Sequence, residues 1–384
     1  MMRSMRVLVV GAGPGGAAAA IELGRAGADV LVVDRSPWPR AKTCGDGISP
    51  PGVAEARRLG LDLRDRRPLP SGEISTPRGY RFQGGWRPET PWGTIVERIE
   101  FDARLMALAV AAGARFESRV AVRELAATAG TSPTARLASN GGGPEAFDAI
   151  VLAEGATGGL AAKLGFGAHA SRLVALRGYA ESAKPLDPVF GLYFDRDVSP
   201  GYGWVFPLDE RRANVGVLVD ERAVRRRQGD LRGVLQRWRT TSPAARAALG
   251  GTPPIHDLSG GVIPTGRRVR VRDGVFAVGD AAGVADPFSA EGIFQAMGSG
   301  RAAAAALVEN GPGRRAERAY AKALVRFDRN AREARRLRLG FAFVIDAMVK
   351  RAVDRPALAR HLSANGFFMK ESLPAFLWGI ARTW

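Results

Sequence analysis

Two short segments of this 384-residue chain carry residues whose types and spacing suit nucleotide chemistry. In the first, Gly11, Gly13, Gly15 and Gly16 follow the apolar run Val7–Val10 and open onto an alanine-rich stretch. A glycine turn at the end of a buried strand offers backbone N–H groups and the positive end of a helix to a pyrophosphate. The G-x-G-x-x-G glycines serve a tight turn, close approach of phosphates, and close helix–strand packing. Asp34, followed by Arg35, stands 18 residues beyond Gly16, near the position where a carboxylate meets a ribose hydroxyl. Asp34 could instead merely cap a turn.

The second segment, Val275–Gly283, ends an apolar strand on Gly279-Asp280 and continues into small residues that open another helix. A nicotinamide dehydrogenase has no need of a second Gly-Asp strand end so far along the chain. An FAD protein does, because the ribityl chain and pyrophosphate cross a second strand end, where Asp280 could accept from a ribityl hydroxyl. Gly292-Ile293 would then aim helix N-terminal N–H groups at the pyrimidine edge of the flavin, favouring negative charge there. The pair of motifs implies FAD held between the two ends of the chain.

Residues 6–11 read as strand, 14–26 as helix and 29–33 as strand. Residues 36–50, with three prolines and two glycines before residue 50 is passed, read as loop. A short helix is expected over 51–60, antiparallel strands over 70–95, a helix over 103–112, and strands over 116–125 and 146–152. Asn140–Pro144 reads as a turn. Alternating patterns over 172–219 predict a β-rich domain, including 202–207 and 212–219. A helix follows at 230–240, a strand at 274–278, a helix from about Gly292, and a mostly helical, basic region from Gly313 to Trp384. These readings give a discontinuous nucleotide domain (1–70, 95–168, 262–312), a β-rich substrate domain (71–94, 169–261) and a C-terminal region (313–384).

Composition narrows the class. Apolar residues make up 46%, enough for a sizeable core, and the single Cys44 excludes a disulfide framework or a cysteine zinc site. No Ser-His-Asp, metal-ligand or P-loop spacing appears, no metal is expected, and His169, His256 and His361 join no recognisable constellation. The formal charge is +18, and residues 301–384 hold 17 Lys/Arg against 7 Asp/Glu. A solvated helix face explains this excess most simply; an anionic membrane surface met by a basic amphipathic tail is the second reading. No nucleic-acid module appears. Met1–Met5 run straight into the first strand and no apolar stretch reaches the ~18 residues of a spanning helix. A cytoplasmic protein is expected, with peripheral contact at the inner face of the membrane as the variant.

Further motifs carry a family resemblance: Arg40-x-Lys42-x-Cys44-Gly45-Asp46-Gly47, Arg98-x-x-Phe101-Asp102, Gly201–Pro207 followed by Asn214-Val-Gly216, and Asp286–Ile293. With the glycine motifs, these resemble the para-hydroxybenzoate hydroxylase-like flavoproteins and, within them, the geranylgeranyl reductase family. The resemblance implies an α/β fold with a Rossmann-like FAD domain of the GR2 type, an inserted mixed or antiparallel sheet, and a helical C-terminal region. It places Gly13, Gly15, Asp34, Cys44, Gly45, Gly47, Arg98, Val120, Asp280, Gly292 and Ile293 against FAD. It implies NAD(P)H or another donor as reductant, and an apolar or lipid substrate whose C=C bond takes hydride from flavin N5. Two departures stand out: Asp34 where the family commonly has Glu, and Glu154-Gly155 where it usually has Asp-Gly.

Three side chains are the catalytic candidates: Cys44, Tyr202 and Trp204. Cys44 is either a small buried hydrophobe or an active-site thiol. Tyr202, Trp204 and Phe206 alternate with Gly203 and Val205, so one strand face carries all three, as core or as an apolar pocket wall. Arg98 is either a surface cap or a pyrophosphate clamp. Oxygen insertion by a monooxygenase is the alternative chemistry of the same fold. Halogenation is disfavoured, since Tyr202 and Phe206 stand where a Trp-x-Trp-x-Ile-Pro stretch is usual.

Overall fold

Val7, Leu8, Val9 and Val10 are all buried, as are Val30–Val33 and Ala149–Leu152. Unbroken burial of β-branched and aliphatic runs requires strands covered on both faces, the signature of a parallel sheet between helices. The computed structural model describes residues 4–355 except 87, 90, 91, 139–142, 227 and 228, together with 357, 358, 361, 362, 380 and 382.

The first half of the chain forms β1 (Arg6–Val10), α1 (Pro14–Arg25), β2 (Asp29–Asp34), β3 (Gly47–Ile48), α2 (Pro50–Arg58), β4 (Ser71–Ser75) and β5 (Arg81–Gly85). It continues through β6 (Thr94–Ile95), α3 (Arg98–Ala111), β7 (Arg115–Ser118), β8 (Val122–Ala126), β9 (Thr134–Leu137), β10 (Glu145–Ala146), β11 (Ala149–Leu152) and α4 (Leu160–Lys163). The second half adds β12 (His169–Glu181), β13 (Val189–Tyr193), β14 (Gly201–Pro207), β15 (Arg212–Asp220), α5 (Glu221–Arg226), α6 (Leu231–Thr241) and α7 (Pro243–Leu249). It ends in β16 (Ile255–Arg267), β17 (Val271–Arg272), β18 (Val275–Ala277), α8 (Gly279–Ala282), α9 (Ile293–Asn310) and α10 (Arg314–Asp354).

The nucleotide sheet has the order β17-β18-β11-β1-β2-β7 and is parallel except for the β17–β18 pair. The ends of β1 and β18, at Val10 and Ala277 and 267 residues apart in sequence, therefore lie on one edge of one sheet, with only β11 between them. Helices α1 and α9 pack together through small residues. A Cβ on Gly300 would land on the Gly15 carbonyl oxygen, so this crossing tolerates glycine alone. A second, seven-stranded sheet has the order β16-β12-β15-β14-β13-β4-β5 and is antiparallel except for β13–β4. One face packs on Trp238 of α6 and on α7; the other carries Tyr202, Trp204 and Leu218 and meets Ile345, Met348, Val349 and Ala352 of α10. Residues 255–267 form one continuous strand, β16, through the position 261–262 where the sequence reading divided two domains.

Several elements differ from expectation. The single strand expected over 116–125 is broken: Arg119 adopts φ 61°, so β7 stays in the nucleotide sheet while β8 joins a three-stranded sheet with β9 and β10. The expected strand 146–152 is likewise divided between β10 and β11. The loop 36–50 contains β3, which pairs with β6. Helix α3 begins at Arg98 rather than 103, and α7 and β16 were not anticipated. The expected turn at 140–144 falls mostly outside the described residues, as does most of the C-terminal region beyond Asp354. None of the described helices is long and apolar enough to cross a membrane.

On β14 the expected alternation is present, and Gly203 is the residue that permits it. A Cβ there would land inside the Trp238 indole. Gly203→Ala should therefore cost about 1–3 kcal/mol by overpacking and lower the calorimetric midpoint of the FAD-loaded protein by several degrees; an unchanged midpoint would contradict this packing.

Candidate active site

The glycines of the first turn divide by what surrounds them. Gly11 has φ 106°, and a Cβ on it would collide with the Ala153 carbonyl. A Cβ on Gly16 would land on the Gly11 carbonyl oxygen. These two let the backbone close on itself. Gly13 is different: only the Arg40 guanidinium, at 3.6 Å, lies within contact of a Cβ there. Gly13 caps α1 without any side-chain hydrogen bond, and Gly292 caps α9 in the same way. Two helix N-termini with no side-chain cap thus border one open space.

That space is a cavity open to solvent and lined from distant parts of the chain. Gly13, Gly15, Cys44, Gly45, Gly47, Arg98, Gly279, Asp280, Gly292 and Ile293 line it, as do Tyr202, Trp204 and Phe206. Asp34, Arg35, Val120, Gly11 and Gly16 do not. The Asp34 carboxylate accepts from Ala12 N (3.0 Å), Ser36 N (2.9 Å) and Arg40 Nε (3.4 Å), so it caps the turn after β2 and ties it to the glycine turn. Val120 donates its N–H to the Asp34 carbonyl at 2.9 Å. Arg35 is exposed and donates to Thr157 Oγ1 at 3.1 Å.

Arg98 is no surface cap. It is 5% exposed and makes a two-pronged bond to Asp102, both contacts at 2.7 Å. Burial alone would lower its pKa; the Asp102 carboxylate outweighs that and holds the guanidinium firmly charged. Cys44 lies beside it, partly buried, and burial pushes its thiol pKa up despite the neighbouring Arg98. The thiol therefore keeps its proton at neutral pH and is no activated nucleophile.

Three residues that sequence reasoning quoted but did not assign organise this loop. Lys42 Nζ meets Asp280 Oδ2 at 3.1 Å, joining the loop to the second glycine motif. Asp46 is fully buried and accepts from Tyr179 Oη (2.7 Å) and Asn214 Nδ2 (2.8 Å). Asn214 Nδ2 also donates to the Cys44 carbonyl (3.1 Å), and its Oδ1 accepts from Trp204 Nε1 (2.9 Å). One signal was available: a polar Asn214 inside the apolar strand Ala213–Val219 marks a buried hydrogen-bond partner. Tyr202 donates its hydroxyl to the Ser289 carbonyl, and burial raises its pKa, so its proton is already committed. His169 Nε2 meets the Asp280 carbonyl at 3.2 Å; burial and nearby Arg267 lower its pKa to about 4, leaving it neutral. Among the described residues no group of three or more His, Cys, Asp or Glu could hold a metal ion.

The cavity fits FAD on its own geometry. Gly13 leaves room beside an uncapped helix end, where a pyrophosphate takes N–H groups and the helix dipole. Asp280 and Lys42 stand at the second strand end, and α9 points its N-terminus at the same space. The family model for the FAD binding domain matches residues 4–323. The chain is 35% identical over 326 residues to the menaquinone reductase of Mycobacterium tuberculosis, covering 78% of this chain and 76% of that one. It is 31% identical over 314 residues to digeranylgeranylglycerophospholipid reductase 1 of Methanopyrus kandleri, covering 79% and 80%. A geranylgeranyl bacteriochlorophyll reductase-like protein from Thermoplasma acidophilum shares its fold, with a TM-score of 0.83, 23% identity, and coverage of 100% of this chain and 97% of that one. The fold and the cavity are those of an FAD-dependent oxidoreductase. The chain belongs to the geranylgeranyl reductase family.

A side chain at Gly13 has space to fold but none to spare for a cofactor. Gly13→Val should leave the melting midpoint of the FAD-free protein near wild type while weakening FAD binding at least about tenfold, or ~1.4 kcal/mol, in a flavin-fluorescence titration. Equal affinity would move the pyrophosphate elsewhere.

Proposed function

We propose that this flavoprotein saturates carbon–carbon double bonds in the prenyl chain of a lipid-like substrate. The observation that carries the reading is the wall opposite the cofactor cradle. Tyr202, Trp204 and Phe206 share one face of β14, with ring centroids 6.2 and 6.0 Å apart, and Phe190 meets Phe206 at 5.1 Å. Leu192, Leu218 and Ile263 extend the wall within the same cavity. Such a surface buries a long apolar chain and excludes water from the reacting carbons. The relatives' names support the same class: menaquinone, digeranylgeranylglycerophospholipid and geranylgeranyl diphosphate all carry prenyl chains.

FAD, when bound, supplies hydride to one alkene carbon after reduction by NAD(P)H or another donor. The other carbon needs a proton. Cavity carboxylates are committed elsewhere: Asp280 pairs with Lys42, and Glu291 accepts from Ser49 and Gln295. Cys44 Sγ, protonated and beside Arg98, is the group we assign to hold that proton at the edge of the cavity. Trp204 is a positioning residue, its ring fixed by the bond from Nε1 to Asn214. The basic excess of residues 301–384 supports delivery of such a substrate from an anionic membrane surface.

Anaerobic reduction of the flavin, addition of a prenylated quinone or prenyl lipid, and mass analysis after air exposure test the reading. Fast flavin reoxidation with a product that stays two mass units heavier in air supports it. A product that returns to the starting mass in air indicates reduction of a quinone ring instead, and a gain of one oxygen indicates a monooxygenase. Cys44→Ala should keep FAD and its rate of reduction by NAD(P)H while losing at least about tenfold in alkene-driven reoxidation; normal reoxidation would remove Cys44 from its assigned role.

A further inference from the structure

A second cavity lies against the first and shares Lys42, Thr43, Arg98 and Arg177 with it. Its character is different: charged side chains replace the aromatic wall. Arg98 is held by Asp102, Lys42 by Asp280, and Arg212 by Glu97 at 3.2 Å. Arg177, on β12, is the exception. It is 7% exposed, and among the described residues no carboxylate lies within 4.0 Å of it. Its Nε is buried without a hydrogen-bond partner, and Nη1 reaches the Asp257 carbonyl only at 3.5 Å. The guanidinium carbon lies 4.6 Å over the Tyr179 ring, which fixes the plane of the fork.

A buried guanidinium with an unused donor is costly unless something completes it. The buried carboxylate that interacts electrostatically with Arg177, Asp46, already accepts from Tyr179 and Asn214. Glu181 and Asp257 also line the second cavity, but both are exposed to water, which screens them. His256 and Arg212 add donors at the same rim.

We propose that this second cavity is a phosphate site, with Arg177 as its anchor. A planar fork with free donors, backed by an aromatic ring, suits the oxygens of a phosphate or diphosphate better than a point cation would. Because the two cavities share a wall at Lys42, Thr43 and Arg177, a ligand held here by its phosphate can extend its other end toward the flavin. Two ligand types have that chemistry: a pyridine dinucleotide reductant, and a prenyl substrate with a diphosphate head. Which of them carries the phosphate rests on the reductase reading above; the binding of phosphate does not.

The test is calorimetric titration of the FAD-loaded protein with inorganic pyrophosphate. Wild type should bind it, Arg177→Gln at least tenfold more weakly, and Arg177→Lys in between, with flavin absorbance and melting midpoint confirming intact protein. Absence of binding by wild type, or equal binding by Arg177→Gln, overturns the inference. Competition on the wild-type protein then distinguishes the sources and does not depend on the variants folding. Pyrophosphate that competes with NADPH in flavin reduction places the phosphate on the reductant. Competition with the alkene substrate in flavin reoxidation places it on the substrate. Competition with neither overturns the assignment.

Discussion

The buried carboxylate of Asp46 is the interaction on which the rest of the site depends. It sits between Gly45 and Gly47 in a left-handed conformation (φ 60°), with no exposure to solvent. Its Oδ2 takes hydrogen bonds from Tyr179 on β12 and Asn214 on β15, and its Oδ1 takes one from the backbone N–H of Arg98 at 3.3 Å. Burial pushes its pKa up, while those donors and the nearby Arg177 and Arg98 pull it down. A carboxylate so placed is expensive to bury and more expensive to strand, so every partner must hold its position. The loop around Asp46 is thereby fastened to the seven-stranded sheet and to the start of α3 at one point.

Three consequences follow for chemistry. Cys44 and Gly47 flank the fastened residue and face the cavity, so the loop cannot drift from the aromatic wall. Asn214 passes the constraint to the Trp204 indole, which orients the wall itself. Gly47, in turn, leaves just enough room for Phe190 and Phe206, whose ring atoms lie 3.1 and 3.4 Å from where its Cβ would be. Opposite this rigid wall, the two uncapped ends of α1 and α9 and the Lys42–Asp280 pair form a polar cradle. One face of the cavity is charged and the other apolar.

The parts legible in the sequence are those set by local chemistry. The glycine spacing, Gly279-Asp280, and the alternation of Tyr202, Trp204 and Phe206 each report a backbone requirement within a few residues. The parts that escaped are set by partners far along the chain. Asp46 and Asn214 are 168 residues apart, and nothing near either one specifies the other. The start of α3 was misplaced because the side chain of its cap, Glu97, makes no capping hydrogen bond to the helix backbone and pairs with Arg212 instead, leaving no capping signature to read. The break between β7 and β8 falls at Arg119, a left-handed position occupied by a non-glycine residue, so no turn signal marks it. By contrast α7 escaped although its signal is local: Ser242 caps it through Ala245 N, and Pro243 opens it.

Segments from both ends of the chain and the Asp46 loop should close on one flavin as a single unit. Amide hydrogen exchange of the protein with and without FAD tests it most directly. FAD should slow exchange together in the turn at 11–16, the loop at 44–48 and the segment 279–293. Protection confined to the first turn, with the loop and the second motif unchanged, would contradict it.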